Sequence, residues 1–274
     1  MHRRVVVVLA DGLRPDAVTP AIMPSLHTLG QTYTRAEHAV TVRPSVTVAA
    51  LGSLATGVRP EAHGLIEPGI GFLSRMHRLH PLGEELRRAG HDLAVVLPEM
   101  GLFSRSLVGA LARAAGVGKL VSGGGTARSM ARTARQMLGE IGHGVIVLYL
   151  ADCDGAGHAH GWMSEPYADA ARRVDAALAE LAPLAQEDLL IVLSDHGGGG
   201  VEPHDHDLPH PVNSHSPLVL AGSSVAQGYL MRRPVSLLDV PPTILWALGA
   251  AIPGSYEGRV LREAFRAPSL AHHR

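Results

Sequence analysis

The sequence predicts an α/β protein built on a doubly wound, mostly parallel central sheet with helices on both faces. Three observations carry this. Short aliphatic runs recur along the 274 residues, and they are continuously apolar, as strands covered on both faces are. Helix-like stretches with recognisable boundaries lie between them. Acidic residues stand directly after several runs, where a parallel sheet gathers its carboxyl-terminal loops.

The elements follow in order. "VVVVLA" (5–10) is the first strand. After a turn at Pro44 and Ser45, "VTVAALGSLATG" winds as a buried, small-residue helix ending at Gly57. "HPLGEELRRAG" is a helix with Gly90 as its stop, leading into the strand "LAVVL" (93–97). "TARSMARTARQMLGEIG" carries Met130, Ala134 and Met137 on one helical face. "VIVLYLA" (145–151) is the next strand. Ser164 then N-caps a helix with Tyr167, Ala171, Val174, Leu178 and Leu181 along one side. "LLIVLS" (189–194) and "LVLA" (218–221) complete the strands. Residues 1–265 read as one domain, 62–80 as a small excursion near the site, and 266–274 as a frayed tail.

Composition narrows the function. With 46% hydrophobic and 18% charged residues the chain can bury a substantial core. A formal net charge of −1 gives no broad footprint for nucleic acid or a membrane surface. The lone Cys153 excludes an internal disulfide framework and a thiolate zinc cluster. The opening apolar run is shorter than the roughly 7–15 residues of a signal-peptide core. No uncharged stretch approaches the roughly 20 residues of a membrane span. The expectation is a soluble, cytoplasmic protein.

Three strands each deliver a carboxylate at one edge: Asp11 after "VVVVLA", Asp152 and Asp154 after "VIVLYLA", and Asp195 with His196 after "LLIVLS". A single Asp after a strand is ordinary turn chemistry. Three converging carboxylates repel one another unless a cation neutralises them, and adjacent imidazoles make a divalent metal the natural resident. In "DCDGAGHAHG", Asp154 and His158 stand four apart across a Gly-Ala-Gly turn and can reach one ion. Asp152 could equally cap a turn, and His160 could be an exposed loop residue. The stretch 191–222 holds five histidines and three aspartates, so it could supply more ligands or be a solvated surface loop. A metal pair activates an attacking oxygen. Ser45 and Thr47, near the start of the small-residue helix, both qualify, although either could simply be an N-cap hydroxyl.

In this order, "LADGLRPD", "VTVAALGSLATGVRPEAHG", "DCDGAGH", "SDHGG" and "SLLDVPPTILWALG…EGRVL" resemble the alkaline phosphatase superfamily. The resemblance is to its nucleotide pyrophosphatase/phosphodiesterase-like (type I phosphodiesterase) branch, and it spans positions 8 to about 261. It implies that Thr47, ten residues before Gly57, is the nucleophile and Ser45 a turn residue. It implies two divalent ions, zinc first, with manganese or iron as alternatives. Asp11, Thr47, Asp195 and His196 would hold one; Asp154, His158 and a loop histidine would hold the other. That histidine is read as His206, eleven residues before Pro217, with His210, then His215 and His204, as alternatives.

The implied activity is hydrolysis of small phosphate esters, diesters first, through a phospho-threonine. Phosphomonoesterase, phosphonate hydrolase or phosphomutase chemistry are the alternatives within the superfamily, and a non-catalytic metal sink is the reading from another class. Two departures weaken nucleotide specificity and substrate assignment: Pro68 stands where the branch carries a phosphoryl-binding asparagine, and Ala49 where it carries proline. Aromatic residues, 4% of the chain, leave little platform for stacking a base.

Overall fold

The structure is a computed structural model and describes residues 2–66, 75 and 78–266. Its strands are β1 (Arg4–Ala10), β2 (Thr34–Ala36), β3 (Ala39–Val40), β4 (Asp92–Leu97), β5 (Lys119–Ser122), β6 (Gly144–Leu150), β7 (Leu189–Leu193), β8 (His215–Ser216), β9 (Leu218–Ala221), β10 (Tyr229–Met231) and β11 (Val235–Ser236). Eight form one sheet in the order β10-β2-β9-β7-β1-β6-β4-β5. From β7 to β5 every pairing is parallel, while β9 runs antiparallel to both its neighbours. A second sheet of β11, β3 and β8 stands apart.

All five aliphatic runs are strands of the large sheet; β7 and β9 are buried throughout, and β1 is buried at every residue but Arg4. The strands that the hydrophobic pattern did not announce are short or peripheral. β5 closes one edge with mostly exposed residues, and β2, β3, β8, β10 and β11 are two or three residues each. Such segments bury too little to leave a run in the sequence.

Alternate residues of β1 feed two cores. Val6, Val8 and Ala10 pack with the helices Pro24–Thr32, Ala127–Glu140 and Glu165–Leu181 on one face. Val5, Val7 and Leu9 pack with Thr47–Thr56, Leu82–Arg88 and Val240–Leu248 on the other. The predicted helix boundaries hold. Thr126 and Ser129 form a capping box, and Ser164 Oγ accepts from Tyr167 N at 3.3 Å. Gly57 and Gly90 take the left-handed conformation just beyond their helices. The five residues read along one side of Glu165–Leu181 are all fully buried.

Two local readings change. "DCDGAGHAH" is a helix, Asp152–His160, and not a turn. Gly155 and Gly157 disguised it, since glycine opposes helix by about 1 kcal/mol. Gly157 is needed there because a Cβ would lie 2.5 Å from the Trp162 ring. Neither Ser45 nor Thr47 caps the helix Thr47–Thr56, whose N-cap is Val46 with no side-chain bond. Of the segment 62–80, residues 67–74 and 76–77 lie outside the described residues, as do 267–274 of the tail.

Leu178→Ala should therefore destabilise the protein by about 2–5 kcal/mol, since it opens a hole in the core. Arg172→Ala on the opposite face of the same helix, whose ion pairs are exposed, should leave the stability nearly unchanged. Chemical denaturation of the two variants makes the comparison; equal losses would mean that this helix does not bury the face assigned to it.

Candidate metal centre

β7, β1 and β6 are neighbours in the sheet, so the residues following them meet at one point. Backbone bonds lock that meeting. Asp11 N donates to Leu150 O at 2.9 Å, and Asp154 N donates to Asp11 O at 3.0 Å. Between them Gly12 turns with φ +67°, and a Cβ on it would lie 2.8 Å from Asp154 Cα. Only glycine allows both the turn and this approach. Gly12 N donates to Asp195 Oδ1 at 3.3 Å, while Gly12 O accepts from Trp162 Nε1 and the Tyr167 hydroxyl, each at 2.9 Å. Ser194 Oγ accepts from Leu13 N and donates to His196 O, tying the loop after β7 to the loop after β1.

Three imidazoles surround the carboxylates, each with Nδ1 on a backbone carbonyl. His196 Nδ1 donates to Gly197 O at 2.7 Å, His206 Nδ1 to Ser45 O at 2.8 Å, and His158 Nδ1 to His204 O at 2.9 Å. That leaves each Nε2 facing the acids, the orientation that metal-ligating histidines take. His196 Nε2 lies 3.1 Å from Asp11 Oδ1, 3.6 Å from Asp195 Oδ2 and 3.9 Å from Asp154 Oδ1. Asp154 Oδ1 is also 3.7 Å from His206 Nε2 and 3.4 Å from His158 Nε2. The last pair is the i, i+4 face of the helix Asp152–His160. The His196 and His206 rings stack with centroids 3.8 Å apart. Thr47 Oγ1 stands 3.1 Å from His196 Nε2.

Three buried oxygens at this point lack a hydrogen-bond partner: Asp11 Oδ1, Asp154 Oδ1 and Asp195 Oδ2. These are the same atoms that face the His196 ring. Leaving such acceptors unmade is costly, and a cation would satisfy all of them. Two overlapping groups have ligand atoms within 4.8 Å of one another, Asp11–Asp195–His196 and Asp154–His196–His206. The donor set of carboxylates and imidazoles without thiolate suits zinc, manganese or iron. The residues therefore fit the metals that the sequence implies.

The electrostatics point the same way. Burial, and then the Asp11 charge, push Asp195 well above the usual carboxylate range and Asp154 up to about 6. Burial alone would lower His196, but the charges of Asp195 and Asp11 raise it to about 10. Burial would raise Asp11, but the His196 imidazole beside it and the bond from the Tyr149 hydroxyl hold it below the ordinary value. His206 is lowered by burial and by the His196 charge. The cluster draws in positive charge, and without a metal that charge is protons.

The other sequence candidates lie aside. His210 N-caps the short helix Pro211–Ser214, with Nδ1 accepting from Val212 N at 3.3 Å. His215 sits in β8, its ring 6.4 Å from that of His38, and His204 Nδ1 bonds to His158 O. Asp152 pairs with Arg173 at 3.4 Å, and His160 is exposed at the helix end. Three contributors went unread. The Tyr149 hydroxyl donates to Asp11 Oδ2. Trp162 sets its ring edge-on to His158 and His206. Ser45 clamps His206 twice, its Oγ donating to His206 O at 2.9 Å while its carbonyl holds Nδ1. Tyr149 left one signal, as the only aromatic residue in the five aliphatic runs.

The sequence profile of type I phosphodiesterases/nucleotide pyrophosphatases matches residues 5–70 and 116–227, which contain every residue of this cluster. The chain belongs to the type I phosphodiesterase/nucleotide pyrophosphatase family. It is thereby an enzyme of phosphoric ester hydrolysis. No curated protein matches the sequence significantly.

Solved structures share the fold at low identity. Murine ectonucleotide pyrophosphatase/phosphodiesterase 5, in an inactive form with AMP, superimposes with TM-score 0.75 at 13% identity, covering 97% of this chain and 100% of its own. Phosphonate monoester hydrolase from Silicibacter pomeroyi gives 0.72 at 16%, covering 98% and 78%. Lipoteichoic acid synthase LtaP from Listeria monocytogenes gives 0.69 at 12%, covering 94% and 74%. Among the described residues of this phosphodiesterase-family chain, no helix is long and apolar enough to cross a membrane.

The raised carboxyl of Asp154 has two consequences. Its folded value of about 6 exceeds the reference 3.8, so the metal-free fold holds an extra proton between these values. That contribution is lost as pH rises through about 6, lowering the metal-free Tm over this window. A metal competes with the same proton, so its affinity should fall as pH drops below about 6. Melting curves with and without metal across this range should diverge as pH rises; a constant gap would contradict the assignment.

Proposed function

We propose that the chain is a two-metal hydrolase of phosphate esters, diesters first, acting through a covalent phospho-threonine on Thr47. One ion would be held by Asp11, Thr47, Asp195 and His196, the other by Asp154, His158 and His206, with zinc the first choice over manganese and iron. When bound, the ions would supply charge stabilisation at the phosphoryl oxygens and a more nucleophilic oxygen at neutral pH.

The observation that carries the reading is the convergence of three unpartnered carboxylate oxygens on His196 Nε2, with the Thr47 hydroxyl 3.1 Å from the same atom. A hydroxyl held there is poised to attack phosphorus. Thr47 Oγ1 bonds to phosphorus and loses its proton, the ester P–O bond breaks, and the alcohol leaves protonated. Water then attacks the phospho-threonine, freeing Thr47 and the phosphate product. The Ser45–His206 clamp would fix the entry to the Thr47 helix relative to the imidazole cage, so that positioning supplies much of the rate. Two neighbours support ester hydrolysis in this fold. The murine structure, an inactive threonine-to-alanine form, holds AMP, and another neighbour is a phosphonate monoester hydrolase. Phosphonate, monoester or phosphomutase chemistry remain the other outcomes of the same site. In the same proposal residues 1–265 act as one hydrolase domain, and the buried, unpaired Cys153 fits a reducing cytoplasm.

Thr47→Ala should lower turnover of bis-p-nitrophenyl phosphate on the order of 10³-fold or more while the fold persists. Retained turnover would return the nucleophile to another oxygen. His206→Ala should take metal content from two ions per chain toward one, measured by elemental analysis, and His210→Ala should leave it unchanged. The reverse pattern would move the ligand to His210.

A further inference from the structure

The helix Asp152–His160 carries both Asp154 and His158, and its last turn is closed from outside the helix. Gly161 N still bonds to Gly157 O at 2.8 Å. The next amide, the one that would close on His158 O if the helix continued, is Trp162 N, and it donates to Pro203 O at 2.9 Å instead. His158 O is thereby left as one of the open carbonyls of a helix end. His204 supplies the missing donor, its Nδ1 lying 3.1 Å from His158 O. A carbonyl only accepts, so that nitrogen carries the hydrogen. Pro203 and His204 together cap the helix, in the way that a histidine near a C-terminus can.

The cap is reciprocal. His158 Nδ1 donates to His204 O at 2.9 Å, so each of the two rings holds the other residue's carbonyl. This bond turns His158 Nε2 toward Asp154 Oδ1, 3.4 Å away. The His158 side chain is 46% exposed, and burial alone does not fix its ring. Of residues 201–209, which contain no helix or strand, only His206 is buried and all the others but Asp205 are exposed. A segment with so little apolar burial takes its course from its polar anchors. On one side Ser45 holds His206. On the other, Pro203 and His204 hold the loop to the helix. His206 follows two residues later, with Nε2 at 3.7 Å from Asp154 Oδ1. The loop that brings one imidazole to Asp154 thus caps the helix that brings the other.

We propose that His204 is a positioning residue of the second metal site: by capping the helix Asp152–His160, its imidazole sets His158 against His206 and so governs affinity for the second ion. The proposal rests on the two-metal reading above. His204 acts through the two ligands and holds neither ion nor substrate. Its exposure separates this role from packing, because removing an exposed ring opens no hole in a core.

The test compares His204→Ala and His204→Asn with the native full-length protein. An asparagine amide puts a donor nitrogen where the imidazole has Nδ1, so it keeps the bond to His158 O. Metal-free protein is titrated with cobalt(II), followed by calorimetry and by the visible spectrum of the bound ion; neither readout needs turnover. The native chain should take two ions. His204→Ala should weaken the second on the order of 10–100-fold and change its spectrum, leaving the first as tight as before. His204→Asn should restore most of the affinity, and the Tm of the metal-free protein should barely move in either variant. An unchanged second ion in His204→Ala would overturn the proposal. So would equal losses in the two variants, because the bond to His158 O would then not be what matters. A native chain that takes only one ion would instead refute the two-metal reading itself.

Discussion

Three carboxylates from three adjacent strands are held against one buried imidazole, and the rest of the site can be read as the means of holding them. Like charges at this separation in a poorly solvated interior repel strongly. The backbone therefore has to supply the restraint. Gly12 turns so tightly that a methyl group would strike Asp154, and the Asp11 carbonyl is spent on the Asp154 amide. Tyr149, Trp162 and Tyr167 close around the same turn through Asp11 Oδ2 and Gly12 O. The cost falls on the metal-free protein, which takes up protons at Asp154, Asp195 and His196. A fold that retains such a cluster is organised around a cation, and the geometry of its histidines agrees, because every Nδ1 is tied to a carbonyl and every Nε2 faces inward.

The central sheet was legible because its physics is local. A strand buried on both faces must be apolar throughout, so β1, β4, β6, β7 and β9 announce themselves as runs. The carboxylates were legible for a related reason: they directly follow those runs, and parallel strands bring such positions to one edge. What stayed hidden depends on contacts across the chain. β5 lies at an edge and buries little, and the two-residue strands of the small sheet leave no pattern at all. The helix Asp152–His160 was masked by its own glycines, one of which exists to admit Trp162.

The crowded loop after β7 shows where residue type stops being informative. His204, His206, His210 and His215 are chemically identical and lie within twelve positions. Only the path of the loop separates them. Asn213 takes the Gly200 amide and donates to Leu208 O, Gly197 bonds to the Asn213 carbonyl, and the resulting fold-back turns His206 inward while His210 caps a helix. Ser45, 161 residues away in sequence, then seizes His206 from both sides. No periodicity encodes a bond of that range. Spacing to Pro217 pointed to the residue that the fold places beside Asp154, but the reason it lies there is the serine clamp.

Tyr149 joins the polar and apolar halves of this region. A phenol is suited to a boundary between a charged cluster and an aliphatic wall, because its ring tolerates burial and its hydroxyl needs one good partner. Here the partner is an ionised carboxylate, and burial, reinforced by the charges of Asp11 and Asp195, keeps the phenol protonated far beyond neutral pH. The hydroxyl is thus a permanent donor. It restrains Asp11 on the side away from His196, leaving Oδ1 as the oxygen that faces the cluster. Tyr149 also lines an apolar cavity of about 400 Å³ beneath the Thr47 helix, so one side chain stands at the boundary between the aliphatic wall and the acids.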